Sequence, residues 1–172
     1  APTARRIDFD LSAKGYSLCI VNTGGSHANL TDDYAAVPAE MKAVAEFFGK
    51  PVLRDISEKT IVENTAALRK KLGDRAVLRA LHFIRENGRV ERMLDALEKE
   101  DMTTFLAIIK ESGNSSATLL QNYFTTKAPA EQGITLACAI AAEILGEKGA
   151  WRVHGGGFAG TMQAFVPTEL MK

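Results

Sequence analysis

The stretch "AWRVHGGGFAGTMQAFVP" (150–167) decides the fold class of this chain. Apolar and polar residues alternate in "AWRVH" and again in "TMQAFVP", which is the period of β-strands. The glycines lie between these two segments, so the pattern predicts an antiparallel hairpin with a glycine-rich connection. Strands are therefore expected near residues 150–155 and 161–166.

The glycines of this connection also satisfy the G-x-G-x-x-G pattern of dinucleotide-binding loops. Such a loop opens a helix whose N-terminus meets the pyrophosphate. Here the glycines precede a strand that ends at Pro167, and this context excludes the dinucleotide interpretation. Two interpretations remain. The loop either only turns the chain, or its backbone closely approaches something bulky and polar, such as a phosphate or a neighbouring loop.

A third strand is expected near the start of the chain. The segment "YSLCIVNTGG" (16–25) is an apolar run punctuated by glycines, which is typical of a buried strand. "RIDFDL" (6–11) precedes it and could pair with it. Residues 57–146 carry the period of helices almost throughout. Strands at both ends with helices between them predict an α+β fold, an antiparallel sheet covered on one face by a group of helices.

Two helices are predicted in more detail. Pro38 either starts the helix in "VPAEMKAVAEFFGK" or kinks a longer one that begins near Thr31. "APAEQGITLACAIAAEILG" (128–146) has a proline in its predicted first turn and a glycine at its end. Its expected inner face is formed by Ile134, Ala137, Ala141 and Ile144, with Cys138 beside them.

The composition is that of an ordinary globular protein: 172 residues, 46% hydrophobic and 24% charged. Because 21 basic and 21 acidic residues cancel, no net field favours nucleic acid or an anionic membrane. The longest apolar run is too short to span a bilayer, and no signal segment opens the chain. Two cysteines cannot form a disulfide framework, and the histidines have no metal-binding spacing. We expect a cytoplasmic protein that binds no nucleic acid, membrane or metal through this chain.

Three stretches, in this order and spacing, resemble the galactokinases of the GHMP kinase superfamily. In "CIVNTGGSHANLTDDYAAVPAEMKAVAEFFGK" a strand ending in Asn is followed by His27, and Tyr34 comes seven residues later. "RALHFIREN" (79–87) resembles the family's R-A-x-H-x-x-x-E helix. "KESGNSSATLLQN" followed by "RVHGGGFAGTMQAFVP" resembles the family's later helix and its third signature motif.

The resemblance implies that residues 1–172 are a ferredoxin-like GHMP kinase C-terminal domain, without the N-terminal half that carries the phosphate loop and catalytic aspartate. It implies that the full-length enzyme uses ATP and Mg²⁺ to phosphorylate the anomeric hydroxyl of galactose. The implied partners are the protein's own N-terminal domain and galactose. The domain alone is expected to be inactive and to bind no cofactor.

The family's site residues carry over onto a few positions, none of them catalytic or metal-binding. Tyr34 would line the sugar pocket. The alternative is an ordinary helix tyrosine that is half buried, with its hydroxyl exposed to solvent. The loop close to the phosphate would be Gly155, Gly156, Gly157, Phe158, Ala159 and Gly160. Ala159 stands where a further glycine is common in the family. A β-branched side chain at Gly157 is expected to cost catalysis far more than folding.

Other polar residues have simpler expected roles. His82 is expected to be a hydrogen-bonded structural histidine, and Glu86 to brace a helix surface four residues later. His154 could meet a phosphate from beside the loop. Three serines either border the active site or cap a helix that begins near Asn114: Ser112, Ser115 and Ser116.

Two other classes of function fit the sequence. One is a galactokinase-like sensor that binds sugar and nucleotide without turnover. The other is a self-standing helical interaction module, which should have its apolar faces covered, whereas part of a kinase should expose one. The sugar is also open, because N-acetylgalactosamine and related sugars would suit the same family.

Overall fold

The computed structural model of the chain describes residues 6–26 and 28–171. It has a three-stranded antiparallel sheet and a larger helical part. The strands are β1 (Tyr16–Asn22), β2 (Ala150–His154) and β3 (Thr161–Pro167). The helices are α1 (Thr31–Phe47), α2 (Glu58–Glu63), α3 (Thr65–Leu72), α4 (Asp74–Glu98), α5 (Met102–Ser115) and α6 (Gly133–Leu145). A π-helical turn (Ser116–Leu120) follows α5 directly.

The central strand of the sheet is β3, which pairs antiparallel with both neighbours in the order β1-β3-β2. The predicted hairpin of β2 and β3 is confirmed. Because residues 161–167 form a strand and not a helix, the loop before them cannot be a dinucleotide fingerprint. Thr161 lies opposite both Asn22 and His154, so the glycine loop leaves the sheet beside the end of β1.

The side chains of β3 alternate between two apolar layers. Met162 and Ala164 belong to a buried cluster with Cys138 of α6. Phe165 points to the opposite face, where its ring packs edge-on against Phe105 of α5 with centroids 4.9 Å apart. The α+β class is confirmed. However, helices pack on both faces of the sheet and not on one, because the central strand is apolar on both sides.

The first strand is an edge strand, not the buried one that its apolar run suggested. It pairs only with β3, and Leu18 and Ile20 are 51% and 49% exposed. Residues 6–10 are not a strand, and residues 11–15 form a turn, so the pairing suggested for "RIDFDL" is wrong. Apolar runs identify strands but do not tell which edges a sheet leaves open.

Of the two helices predicted in detail, the first agrees with one of its alternatives and the second begins later than predicted. Helix α1 begins at Thr31 and carries Pro38 inside it, which is the second of the two alternatives. Helix α6 begins at Gly133, so Pro129 is not in its first turn. A Cβ at Gly133 would lie 2.9 Å from the carbonyl oxygen of Thr23, so this helix start packs closely against the end of β1. Ile144 is 66% exposed, and Leu145 takes its place in the core.

Helices α1 to α4 form a second core away from the sheet. Five fully buried side chains hold it together: Val44, Ala45, Ile61, Leu68 and Ala80. Burial of each larger aliphatic side chain stabilises the fold by about 1.5–3 kcal/mol. This core fixes α1 and α4 relative to each other, and so places the start of α1 beside the glycine loop. Across the described residues, every helix is too short or too polar to cross a membrane.

Candidate functional site

The loop between β2 and β3 consists of residues 155–160 and has an unusual backbone. Gly155, Gly157 and Gly160 have φ values of +73°, +80° and +94°. These are the three glycines of the G-x-G-x-x-G pattern, so the pattern reflects left-handed backbone at those positions. Phe158 also has a positive φ, +61°, which is rare for a bulky residue and occurs mainly where the surrounding structure enforces it.

Asn122 lies against the centre of this loop. Its backbone carbonyl accepts a hydrogen bond from the Phe158 amide at 2.5 Å, and its side-chain Nδ2 donates to the Gly156 carbonyl at 3.0 Å. A Cβ at Gly157 would overlap the Asn122 carbonyl oxygen and lie 2.7 Å from Nδ2. The glycine at position 157 is therefore required by packing within this chain.

Tyr34 packs against the same loop from the first turn of α1. Its hydroxyl donates to the Gly157 carbonyl at 2.8 Å, and its ring meets Phe158 edge-on with centroids 5.3 Å apart. A Cβ at Gly156 would lie 2.8 Å from the tyrosine ring. Burial raises the pKa of Tyr34, which keeps the phenol protonated and able to donate at neutral pH.

The segment after β1 closes the loop on a third side. Both the amide and the hydroxyl of Thr23 donate to the Gly160 carbonyl at 2.8 Å. A Cβ at Gly25 would lie 3.1 Å from Ala159 Cβ. The loop is thus held by three separate parts of the chain: the end of β1, the start of α1 and the residues after the π-helical turn.

Two clefts share Phe158 and Tyr123 in their walls. The first cleft has a backbone-rich, polar wall formed by Gly24, Gly25, Ser26, Thr125 and Glu131. The second cleft has charged and amide side chains in its wall: Asp33, Arg75, Arg79 and Gln121. Because the ring of Phe158 lies in the walls of both clefts, its conformation affects the shape of each cleft.

A polar network lies between α4, α5 and β2. Glu86 accepts hydrogen bonds from Ser112 at 2.5 Å and from Arg89 at 2.7 Å, and Arg152 of β2 donates to Ser112 at 2.7 Å. Burial acts to raise the pKa of Glu86, but the hydrogen bonds from Ser112 and Arg89 oppose it and the pKa lies below its ordinary value. Glu86 therefore joins three elements and does not merely brace a helix surface.

His82 is a buried structural histidine, as predicted. Its Nδ1 is 2.9 Å from the Ser115 hydroxyl. Burial lowers its pKa; the Glu86 carboxylate acts in the opposite direction, while Arg89 and Arg152 reinforce the lowering.

We expect His82 to make the fold less stable in mild acid. The unfolded chain binds a proton on this side chain below about pH 6.5, whereas the folded chain resists it. The stability that neutral His82 contributes is present above that pH. It is lost as the pH falls from the pKa of His82 in the unfolded chain toward its pKa in the folded chain, by up to about 1.4 kcal/mol per pH unit. Urea unfolding of residues 1–172 at pH 7 and pH 5 should show a smaller loss in His82→Asn than in the parent.

The exposed His154 provides the matched control for this measurement. His154→Asn leaves the buried His82 in place, so it should retain the loss of stability that His82 causes between the two pH values. Equal losses in the parent and in His82→Asn would contradict the assignment to His82.

The structure separates the remaining predicted residues. Asn114 is inside α5, so the suggested serine cap of a new helix is wrong. His154 is exposed beside the loop, with its Nδ1 3.1 Å from the Thr161 hydroxyl. His27 lies outside the described residues. Among residues 6–26 and 28–171, no group of three histidine, cysteine or acidic side chains is placed to hold a metal ion.

The sequence of the chain is similar to proteins of one family. No protein-family profile matches it. A galactokinase from Glaesserella parasuis serovar 5 is 33% identical over 156 residues, which are 91% of this chain and 38% of that protein. One from Actinobacillus pleuropneumoniae serotype 3 is 32% identical over 155 residues, 90% of this chain and 38% of that protein. The chain is homologous to the galactokinases.

The fold agrees with this homology. The crystal structure of Lactococcus lactis galactokinase complexed with galactose matches with a TM-score of 0.72 at 21% identity, over 91% of this chain and 39% of that one. The chain spans less than two-fifths of the length of these galactokinases and corresponds to their C-terminal part.

Two residues around the loop of this galactokinase homologue were not predicted as part of the site. In the sequence Asn122 is only the last residue of a helix-like segment, and its contacts with the loop depend on a turn that no local pattern reveals. Arg79 belongs to the helix motif, yet its guanidinium Nε donates to the Leu120 carbonyl at 3.1 Å, just before Asn122. Its place in the R-A-x-H-x-x-x-E motif is the one sequence signal that could have pointed to it.

Proposed function

We propose that this chain is the C-terminal domain of a sugar kinase that transfers the ATP γ-phosphoryl group to the anomeric hydroxyl of galactose. The observation that carries the proposal is the galactokinase homology over nine-tenths of the chain, together with a glycine loop held in one conformation by Tyr34 and Asn122. Phosphoryl transfer depends on positioning and charge stabilisation more than on covalent chemistry, so a rigid loop suits it.

The role of this chain would be to shape one wall of the site. Gly155 and Gly156 are exposed, and a Cβ at Gly155 would meet nothing within 4 Å, so backbone alone faces outward there. Such a surface lets a phosphate or a second loop approach closely. Tyr34 would border the sugar. Because its hydroxyl donates to Gly157, it would meet a sugar hydroxyl as an acceptor.

ATP and Mg²⁺ would be held mainly by the rest of the enzyme. On the side where a Cβ would stand, Gly156 is covered by Tyr34 and Gly157 by Asn122, so that side of the loop is not a phosphate cradle. The described residues also lack a cluster of metal ligands. Contact with the phosphates from this chain would come from the exposed backbone at Gly155 and Gly156.

Exposed apolar surface favours this proposal over a self-standing module. Helix α6 and β1 border an open groove whose side chains are almost entirely apolar. Ile140, Ile144 and Val21 all contribute to it and are exposed. A domain that works alone would cover such a patch, whereas part of a larger protein is expected to carry one.

The proposal is tested by comparing residues 1–172 with the full-length protein that carries them. We expect galactose-dependent formation of ADP from ATP and Mg²⁺ by the full-length protein, and none by residues 1–172. N-acetylgalactosamine in a parallel assay distinguishes the sugar. Binding of galactose and ATP by the full-length protein without ADP formation would favour the alternative of a sensor without turnover. Activity of residues 1–172 alone would refute the proposal that this chain needs the rest of the enzyme for catalysis.

Tyr34 is expected to affect the sugar and not the nucleotide. Tyr34→Phe removes one hydroxyl, and the loss of about 0.5–1.5 kcal/mol should raise KM for galactose roughly 2- to 13-fold in the full-length enzyme. Tyr34→Ala should raise it further, because the ring's packing is lost as well. KM for ATP should stay nearly constant. Unchanged KM for galactose in both variants would make Tyr34 a scaffold residue only.

A further inference from the structure

We infer that Asn122 is a positioning residue that sets the conformation of the glycine loop, and through it the geometry of phosphoryl transfer. The inference rests on the proposed function for its catalytic part. Its structural part depends only on the contacts that Asn122 makes with residues 156–158.

Asn122 holds the loop at three successive residues. Its side chain donates to the carbonyl of Gly156, its carbonyl oxygen accepts from the amide of Phe158, and its atoms occupy the space beside the Cα of Gly157. The bond to Phe158 fixes a residue with a left-handed backbone, which a phenylalanine does not adopt without such support.

Asn122 is itself held in place by its neighbours in the sequence. The π-helical turn before it ends at Leu120, and the next residue, Gln121, has a left-handed backbone with φ of +59°. Arg79 donates to the carbonyl of Leu120, and the hydroxyl of Tyr123 donates to the carbonyl of Gly113 in α5. Single π-helical turns recur at functional sites.

Asn122 is 3% exposed, and its Oδ1 is buried without a hydrogen-bond partner among the described residues. A buried acceptor without a partner costs free energy. An apolar residue of similar size would avoid that cost but could not donate to Gly156. The amide at position 122 is therefore explained by its Nδ2 donor, which bonds to the carbonyl of Gly156 in the loop.

The loop conformation that Asn122 sets also determines both clefts. Phe158 lines the two of them, and its ring stands edge-on to Tyr34. A change at Asn122 would be transmitted to the sugar side through Tyr34 and to the exposed backbone through Gly156. Small displacements of positioned groups reduce the rate of a reaction much more than they reduce binding.

Asn122→Asp tests the inference, because it keeps the size of the side chain and replaces the donor with an acceptor that repels the Gly156 carbonyl. Asn114→Asp is the matched control, since it makes the same chemical change at an exposed position on α5. In residues 1–172 we expect Asn122→Asp to shift the amide resonances of Gly156, Gly157 and Phe158 and to speed hydrogen exchange at Phe158. In the full-length enzyme it should lower kcat on the order of ten-fold or more, with KM for galactose changed much less.

The outcomes separate the two levels of the inference. Rapid exchange of the Phe158 amide in the unmodified chain would overturn it, whether or not any variant folds. Unchanged loop resonances in Asn122→Asp, or in Asn122→Ala if the aspartate variant unfolds, would also overturn it. Shifted loop resonances with an unchanged kcat would refute the catalytic part. If the unmodified full-length protein has no kinase activity, the proposed function fails, and the resonance and exchange data still decide the role of Asn122 in the loop.

Discussion

Gly157→Ala is expected to destabilise residues 1–172 by about 2–5 kcal/mol. A left-handed backbone costs a non-glycine residue about 1–2 kcal/mol, and overpacking adds about 1–3 kcal/mol. Both apply here, because φ is +80° and the new Cβ would overlap the Asn122 carbonyl. Urea unfolding measures the loss. This replaces the expectation that a side chain at position 157 would harm catalysis far more than folding, because the obstructing atoms belong to this chain.

Gly155→Ala is the matched control for this prediction. Gly155 has nearly the same backbone, with φ of +73°, but a Cβ there would meet nothing within 4 Å. Gly155→Ala should therefore reduce the free energy of unfolding only by the conformational cost of about 1–2 kcal/mol. The difference between the two variants therefore measures the close contact with Asn122, and equal losses would mean that the loop yields at position 157 without strain.

Arg79→Met is expected to destabilise the chain by about 2–4 kcal/mol. The guanidinium is 2% exposed, and it joins the Leu120 carbonyl to the carboxylate of Glu40 in α1, with Nη1 to Oε2 at 3.0 Å. Methionine keeps much of the packing but leaves the carbonyl without its donor and removes one partner from Glu40. Loss of a buried hydrogen-bonded charge is among the more costly single changes. Urea unfolding of residues 1–172 measures it.

Arg75→Met removes the other arginine that binds Glu40 and serves as the comparison. The side chain of Arg75 is 46% exposed, and its ion pair with Glu40 is correspondingly screened. We expect a loss below about 1 kcal/mol. A similar loss in both variants would show that the buried position of Arg79 and its bond to Leu120 contribute little.

The two arginines illustrate how the helical part supports the site. Arg79 lies on α4, Glu40 on α1, and Leu120 just before Asn122. Destabilisation at Arg79 should therefore reach the glycine loop from two directions, through Asn122 and through the start of α1, where Tyr34 lies. Arg75 binds Glu40 and is therefore connected to the loop only through α1.

The sequence by itself determined the hairpin, the α+β class and the relationship to galactokinases. Alternation over residues 150–154 and 161–167 is a local property, since each strand displays its period without reference to the rest of the fold. Glycine at positions 155, 157 and 160 permits the left-handed backbone that the structure has there, because glycine adopts it at low cost. The spacing of Tyr34 from His27 within a family motif predicts that it lines the sugar pocket, and the structure places it against the glycine loop.

Only the tertiary structure decided what surrounds the loop and which surfaces are covered. Asn122 meets Gly157 across 35 positions, and Tyr34 meets it across 123, through turns and helix packing that have no local signature. The exposure of β1 was equally hidden, because an apolar strand looks the same at the centre of a sheet and at its edge. Periodicity reports the conformation of a segment, whereas contacts between distant segments depend on how all the elements pack together.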